Sequence, residues 1–315
     1  MYDTTKPYKG KILELIKKTW KSPYISIKGD IYSVFKKKFS YPEVDHTDGL
    51  GTKGIYHWQK KTLKNACLDA LAMNLNDLIL VRARAYKLQS HLLLPEDNQK
   101  AILTIIKILS EECLKRKIAI TGGETSIHNN LNGLEIGMTI SGFIKKRKPN
   151  KFKKGDVLIG IGSNGLHANG FTKIKEIFGK DFRPEFVAPT HIYSETVLSL
   201  DEKFDLHGMI HITGGAYTKL KDLLEKTDIR IRRNQKLLPQ KIFKEIYQKG
   251  VSDEKMYKTF NCGIGFILSV SSQSAKGIIS KLNNDGFRAD IIGEVTTGRG
   301  KIKIESLFSE KEVEF

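Results

Sequence analysis

Cysteine is scarce in this chain: Cys67, Cys113 and Cys262 are the only three in 315 residues. They lie far apart, with no C-x-x-C pair and no histidine at metal-ligand spacing, which excludes a disulfide framework and a structural zinc and implies a reducing compartment. Arginine is scarce as well. Of 53 basic residues only 10 are arginine, so the formal net charge of +18 is carried by dispersed lysine. Nucleic-acid recognition favours the planar arginine fork, so the lysine excess reads as a solvated surface and nucleic acid is not an expected partner. No uninterrupted apolar run approaches the roughly 18 residues of a membrane helix, and the amphipathic stretch Ile12, Leu15, Ile16, Trp20 is too short for a signal peptide. The expected location is the cytoplasm. No repeat of 20 to 50 residues is visible, and neither a Walker loop nor a dinucleotide fingerprint occurs.

What is present is enough apolar content, 40%, for a sizeable core and a length that favours two domains. The spacing predicts helices over 63–76 and 99–116 and strands over 79–81, 118–121 and 136–144. Ile25, Ile27, Ile31 and Val34 alternate as short strands around a Gly29-Asp30 turn. The basic run 145–151 breaks every periodicity and is the expected linker, giving domains 1–150 and 151–315. Beyond it, strands are predicted at 157–162, 209–213, 264–270 and near Ile291 and Ile302. Helices are predicted from Phe171, near 192–200, from Tyr217, near 242–249 and over 275–284. Strands and helices mix in both halves, which points to two α+β domains and not a doubly wound sheet.

The chemistry concentrates in a few stretches. Asp48-Gly49-Leu50-Gly51-Thr52-Lys53 puts a carboxylate, two glycines, a hydroxyl and a lysine within six residues. Glycines let phosphate oxygens approach backbone amides, lysine supplies a point charge, and carboxylates hold a hard cation. Asp69 and Asn76, seven residues apart on a helix, leave it on one face. Asp77 and Gly122-Gly123-Glu124-Thr125 add carboxylates at longer spacing. Ser163, His167 and Asn169 lie in a glycine-rich loop between a strand and a helix, a place for an anion. His211 and Thr213 leave a strand just before two glycines, and Asn261 precedes Cys262 and a glycine-spaced apolar strand. Cys262 reads either as a nucleophile or as apolar packing.

Together these segments resemble phosphoribosylformylglycinamidine cyclo-ligase, the aminoimidazole ribonucleotide synthetase of purine biosynthesis. The resemblance rests on Asp48 to Lys53, Ala72 to Leu78, Gly122 to Thr125, Gly155 to Leu158, Ser163 to Gly170, Ala188 to Tyr193, His211 to Gly215 and Met256 to Gly265. The first three are shared with a wider ATP-binding superfamily that includes selenophosphate synthetase and thiamine-phosphate kinase. The resemblance implies a C–N bond-forming ligase, with ATP and Mg as cofactors and a small ribonucleotide as substrate. It also implies a homodimer in which a ferredoxin-like N-terminal sheet pairs into a β-barrel, and a C-terminal α+β sandwich. By motif match it places Asp48, Asp77 and Glu124 on the metal. Gly49, Gly51, Thr52, Lys53, Asp69, Asn76, Gly123 and Thr125 would join these three on the nucleotide, while Ser163, His167 and Asn169 take the ribonucleotide phosphate. His211, Thr213 and Asn261 line the reacting end. The chain departs from the family at Arg82 to Leu88, at Ala168 and at Lys255, and Ala216 stands where a third glycine is usual. Two alternatives therefore stay open: a paralogue acting on another amide or amidine, and a non-catalytic polyanion-binding module.

Overall fold

In the computed structural model, which describes residues 7–29 and 33–315, the chain divides into two compact units. One holds residues up to Leu78 together with Arg82–Arg147; the other holds Ile79–Val81 and Lys148–Phe315.

The first unit begins with helix α1 (Lys9–Lys17) and a hairpin of β1 (Ile25–Lys28) and β2 (Val34–Lys37), paired antiparallel. The expected turn beside Gly29 and the contribution of Ile31 fall largely outside the described residues. Next come β3 (Glu43–Asp48), α2 (Lys53–Lys60), α3 (Leu63–Leu78), β4 (Arg84–Leu94), α4 (Gln99–Lys115), β5 (Ala119–Ile127) and β6 (Glu135–Phe143). The four longer strands form one sheet in the order β3-β6-β4-β5. The sheet is mixed: β4 and β5 run parallel because α4 crosses between them, while β6 is antiparallel to both neighbours β3 and β4. Among the described residues it remains an open sheet edged by β3 and β5, and no closed barrel is formed.

Helix α3 is apolar on nearly every side and buries Ala66, Cys67, Ala70, Leu71, Ala72 and Leu75, as a helix packed against both a sheet and α4 must. Helix α4 starts at Asn98, whose side chain accepts the Ala101 N–H at 3.0 Å. One local expectation is corrected. Residues Ile79–Val81 form a 3₁₀ turn, not a strand; three apolar residues suit either, and the turn seats Ile79 in the core of the second unit. The strand expected over 118–121 continues through Gly122-Gly123 to Ile127, and Gly123 in its interior pairs with Ser90 of β4.

The second unit comprises β7 (Val157–Gly162), α5 (Phe171–Phe178), α6 (Ser194–Lys203), β8 (Leu206–His211), β9 (Thr227–Ile231), α7 (Lys241–Gln248), α8 (Asp253–Thr259), β10 (Ile264–Val270), α9 (Ser272–Asn284), β11 (Ala289–Thr297), β12 (Ile302–Glu305) and β13 (Glu312–Glu314). Its seven strands order as β13-β12-β9-β11-β7-β10-β8, antiparallel except for β12 beside β9. Strand β10 is buried at every residue because strands flank it and apolar cover lies over it. The core joins Ile159, Ile161, Phe266, Leu268 and Val270 of the sheet to Val197 and Leu200 of α6 and Ile278 and Leu282 of α9. The helix expected from Tyr217 is a 3₁₀ helix, Ala216–Leu223.

Candidate active site

The nucleotide-type residues belong to the first unit. Asp48 ends β3, and its Oδ1 accepts the Gly49 N–H at 2.7 Å. The next two amides are taken by a residue the sequence did not single out: Glu135, the first of β6, accepts Leu50 N–H at 2.6 Å and Gly51 N–H at 2.8 Å. Burial pushes the Glu135 carboxyl above its ordinary value, opposed by these amides and reinforced by Asp48. The chain just before β6 also passes close to α2, which requires glycine at Gly54, where a Cβ would lie 1.8 Å from the Leu134 carbonyl oxygen.

Asn74 of α3 ties the end of β3 to the helix, donating to the Asp48 carbonyl at 3.2 Å, while its Oδ1 meets His46 Nδ1 at 3.1 Å. His46 Nε2 stands 3.6 Å from Asp77 Oδ2. One small polar network therefore runs from the Asp48 main-chain carbonyl through Asn74 and His46 to the Asp77 carboxylate. Glu124 does not join it: it lies on β5, three strands from β3, or about 14 Å at usual strand spacing. Its Oε1 accepts the Thr125 N–H at 2.8 Å. Among the described residues, no group of three or more His, Cys, Asp or Glu side chains is gathered to hold a metal.

Lys53, Asp69 and Asn76 are fully buried. Lys53 Nζ sits 3.0 and 2.8 Å from the two Asp69 oxygens, and Asp69 Oδ2 also meets His57 Nε2 at 2.8 Å. His57 Nδ1 lies 2.7 Å from the Thr62 hydroxyl. Burial drives the Lys53 and His57 values down, opposed by Asp69. Burial would raise the Asp69 carboxyl, but Lys53 and His57 outweigh it and hold it below the usual range. Sequence spacing brought Lys53 toward phosphate; the fold turns its amine inward onto Asp69, because a buried carboxylate requires a counter-charge.

In the second unit the polar residues meet at one end of the seven-stranded sheet. Ser163 follows β7, Asn261 precedes β10, and Thr213 lies two residues beyond β8. Asn261 organises this row: its Oδ1 accepts the Ser163 hydroxyl at 2.9 Å and the Gly263 N–H at 2.9 Å, and its amide donates to the Gly165 carbonyl at 2.8 Å. The Asn169 amide donates to the Thr259 carbonyl at 2.8 Å. Thr213 Oγ1 receives Lys219 Nζ at 3.0 Å. His167, in the left-handed region at φ +60°, packs its ring 6.3 Å from that of His211 and 6.2 Å from that of His191. Tyr193 donates to the Gly162 carbonyl at 3.0 Å beneath them. A Cβ on Gly265 would stand 2.1 Å from the Tyr193 hydroxyl and 2.5 Å from His167 Cε1, so the glycine is what admits both rings.

Residues Ala216, at φ +42°, and Cys262, at φ +48°, hold left-handed turns beside the row. That conformation accounts for a glycine being usual at the first of them. Cys262 is fully buried and its thiol faces the Met256 and Phe260 carbonyls; burial pushes it far above its ordinary value, which suits packing and not nucleophilic attack. Sequence reasoning missed Gln240, whose amide donates to the Ser163 carbonyl at 2.7 Å, and Lys219; each lies on an element with no motif of its own.

Residues 38–144 match the family described as AIR synthase related protein, N-terminal domain, and residues 153–305 match the corresponding C-terminal domain. The phosphoribosylformylglycinamidine cyclo-ligase of Methanococcus vannielii is 34% identical over 286 residues, 85% of this chain and 80% of that protein. That of Saccharolobus solfataricus is 34% identical over 301 residues, 93% and 90%. Among solved structures, thiamine-monophosphate kinase from Stenotrophomonas maltophilia K279a shares the fold with a TM-score of 0.71 at 17% identity, covering 93% of this chain and 94% of that one. The hydrogenase maturation protein HypE in complex with ATP does so at 0.69 and 14%, covering 99% and 95%. With both family domains present in order and a third of its residues shared across most of its length, the chain belongs to the phosphoribosylformylglycinamidine cyclo-ligase family.

Proposed function

We propose that this chain closes the imidazole ring of aminoimidazole ribonucleotide in purine biosynthesis. ATP phosphorylates the amide oxygen of formylglycinamidine ribonucleotide, the amidine nitrogen attacks that carbon, and ADP, phosphate and a proton are released. One observation carries this reading: the chain shares 34% identity with cyclo-ligases over 93% of its length. The polar row Ser163, Asn261, Thr213 assembled at one sheet end of the second unit agrees with it.

On this reading Ser163, His167 and Asn169 hold the ribonucleotide, and His211, Thr213 and Asn261 border the reacting amide. Asn261 keeps the row in register through its bonds to both neighbouring loops. The first unit takes ATP near Asp48 to Thr52, with Gly123, Glu124 and Thr125 on the exposed edge strand. Lys53, Asp69 and Asn76 support that loop from inside. Asp48 and Asp77 would hold Mg, which commonly uses one or two carboxylates and completes six oxygens with water and phosphate. Bound there, it would offset charge on the transferring phosphoryl group. Homodimerisation through the open sheet of the first unit and a cytoplasmic location complete the reading.

ADP release measured with formylglycinamidine ribonucleotide, beside other small amides, tests the function. Release no faster with the ribonucleotide than without it overturns the proposal. Asp48→Asn and Asp77→Asn are each expected to weaken Mg-ATP binding about tenfold, roughly 1.4 kcal/mol, in calorimetry. Parent-like binding by both variants would remove the metal assignment.

A further inference from the structure

Four elements of the second unit deliver polar groups to one sheet end in strand order: Arg288 just before β11, Ser163 after β7, Asn261 before β10 and Thr213 after β8. Arg288 differs from the other arginines around it. Arg183, Arg230, Arg232 and Arg233 are each paired with a glutamate. Among the described residues, no carboxylate pairs with Arg288. Its backbone is pinned, because the Arg288 carbonyl accepts the Gly162 N–H at 2.8 Å. Its side chain leans over the glycine-rich loop, Nη2 donating at 3.3 Å to the Ser163 carbonyl that Gln240 also holds. Arg288 is an exposed residue, and beyond this bond its guanidinium keeps further N–H donors at the loop mouth.

Its surroundings suit an anion. Burial, and then the Arg288 charge, hold His191 below its ordinary value, so that ring stays neutral and does not compete as a cation. A guanidinium with fixed backbone and free donors offers the planar two-point grip that phosphate oxygens accept, which lysine does not.

We propose that Arg288 takes the phosphomonoester of the ribonucleotide at the mouth of the Ser163 to Gly170 loop and thereby selects the 5′-phosphorylated substrate over the free riboside. The proposal rests on the ring-closing reading for the identity of the substrate, but the phosphate contact can be measured without turnover. The probe is ribose 5-phosphate, titrated into the full chain and into Arg288→Gln and Arg288→Lys by calorimetry, with melting temperatures taken alongside. Arg288→Gln is expected to melt with the parent and to bind ribose 5-phosphate about ten- to a hundredfold more weakly, with Arg288→Lys between the two. In turnover, KM for formylglycinamidine ribonucleotide rises by the same factor at unchanged kcat, while KM for the riboside stays put, because a remote phosphate contact is equal in ground and transition states.

The proposal is overturned if the parent does not bind ribose 5-phosphate or if Arg288→Gln binds it as tightly as the parent. A KM for the riboside that rises in step also overturns it, since a general disturbance of the loop would then explain the loss. A parent that binds ribose 5-phosphate through Arg288 yet releases no ADP with the ribonucleotide would refute ring closure and leave the phosphate contact standing.

Discussion

Lys53, Asp69 and His57 show how a single side chain acquires its role from burial. All three are fully buried. The charges of Lys53 and Asp69 cancel, and the Thr62 hydroxyl beside Nδ1 lets a neutral His57 donate from Nε2 to Asp69. Because burial depresses His57 from its ordinary 6.5, the unfolded chain binds a proton that the folded chain does not once the pH drops below about 6.5. This part of the stability is thus complete above that pH and lost as the pH falls toward the folded value, with a slope of up to about 1.4 kcal/mol per pH unit. Urea unfolding between about pH 7.5 and 5.5 should show a shallower loss in His57→Gln than in the parent. Equal slopes would mean that His57 is charged in the folded protein.

At the level of elements, the loop Asp48 to Lys53 was legible as an anion cradle from its residue types, but its present occupant was not. Glu135 begins a strand more than 80 residues downstream, and only the pairing of β6 with β3 carries it to the Leu50 and Gly51 amides. Glu135→Ala would leave two loop donors without an acceptor, expected to lower stability by about 1–3 kcal/mol. Hydrogen exchange at Leu50 and Gly51 should then speed up at least about tenfold relative to β6, as local opening becomes easier. Unchanged exchange would show that the loop is ordered by something else. Strands with an unbroken apolar pattern, such as Val157–Gly162 and Ile264–Val270, could be read to the residue because a fully buried strand leaves no alternative. The Gly122-Gly123 segment could not, because glycine signals a loop unless a neighbour approaches closely. Here the Ser90 carbonyl oxygen would lie 2.4 Å from a Cβ on Gly123, so glycine is needed inside the strand.

For the whole molecule, the open sheet of the first unit sets the expectation. Among the described residues no further strand lies beside its edges β3 and β5; Thr19 and Trp20 cap β5 at Ile120, and beyond them β5 exposes Gly123, Glu124 and Ile127. Such edges are commonly covered by another chain. Light scattering at micromolar concentration is expected to give about 71 kDa, twice the 35.6 kDa of one chain. A mass of one chain would refute the homodimer. No helix among the described residues is long and apolar enough to cross a membrane.

Sequence alone was sufficient for the family and the mixed α/β class, because motifs such as His211 to Gly215 and Asn261 to Gly265 are short, local and chemically constrained. Strand order decided the rest. The side-by-side antiparallel pairing of β11, β7, β10 and β8 sets Arg288 beside Ser163 and Asn261 between Ser163 and Thr213. The opposite placement, Glu124 away from Asp48, follows from β6 and β4 lying between them. Whether Lys53 faces solvent or a buried carboxylate depends on how far α2 and α3 close over Asp69. Such distances arise from pairing and packing between residues remote in sequence, and no local pattern encodes them.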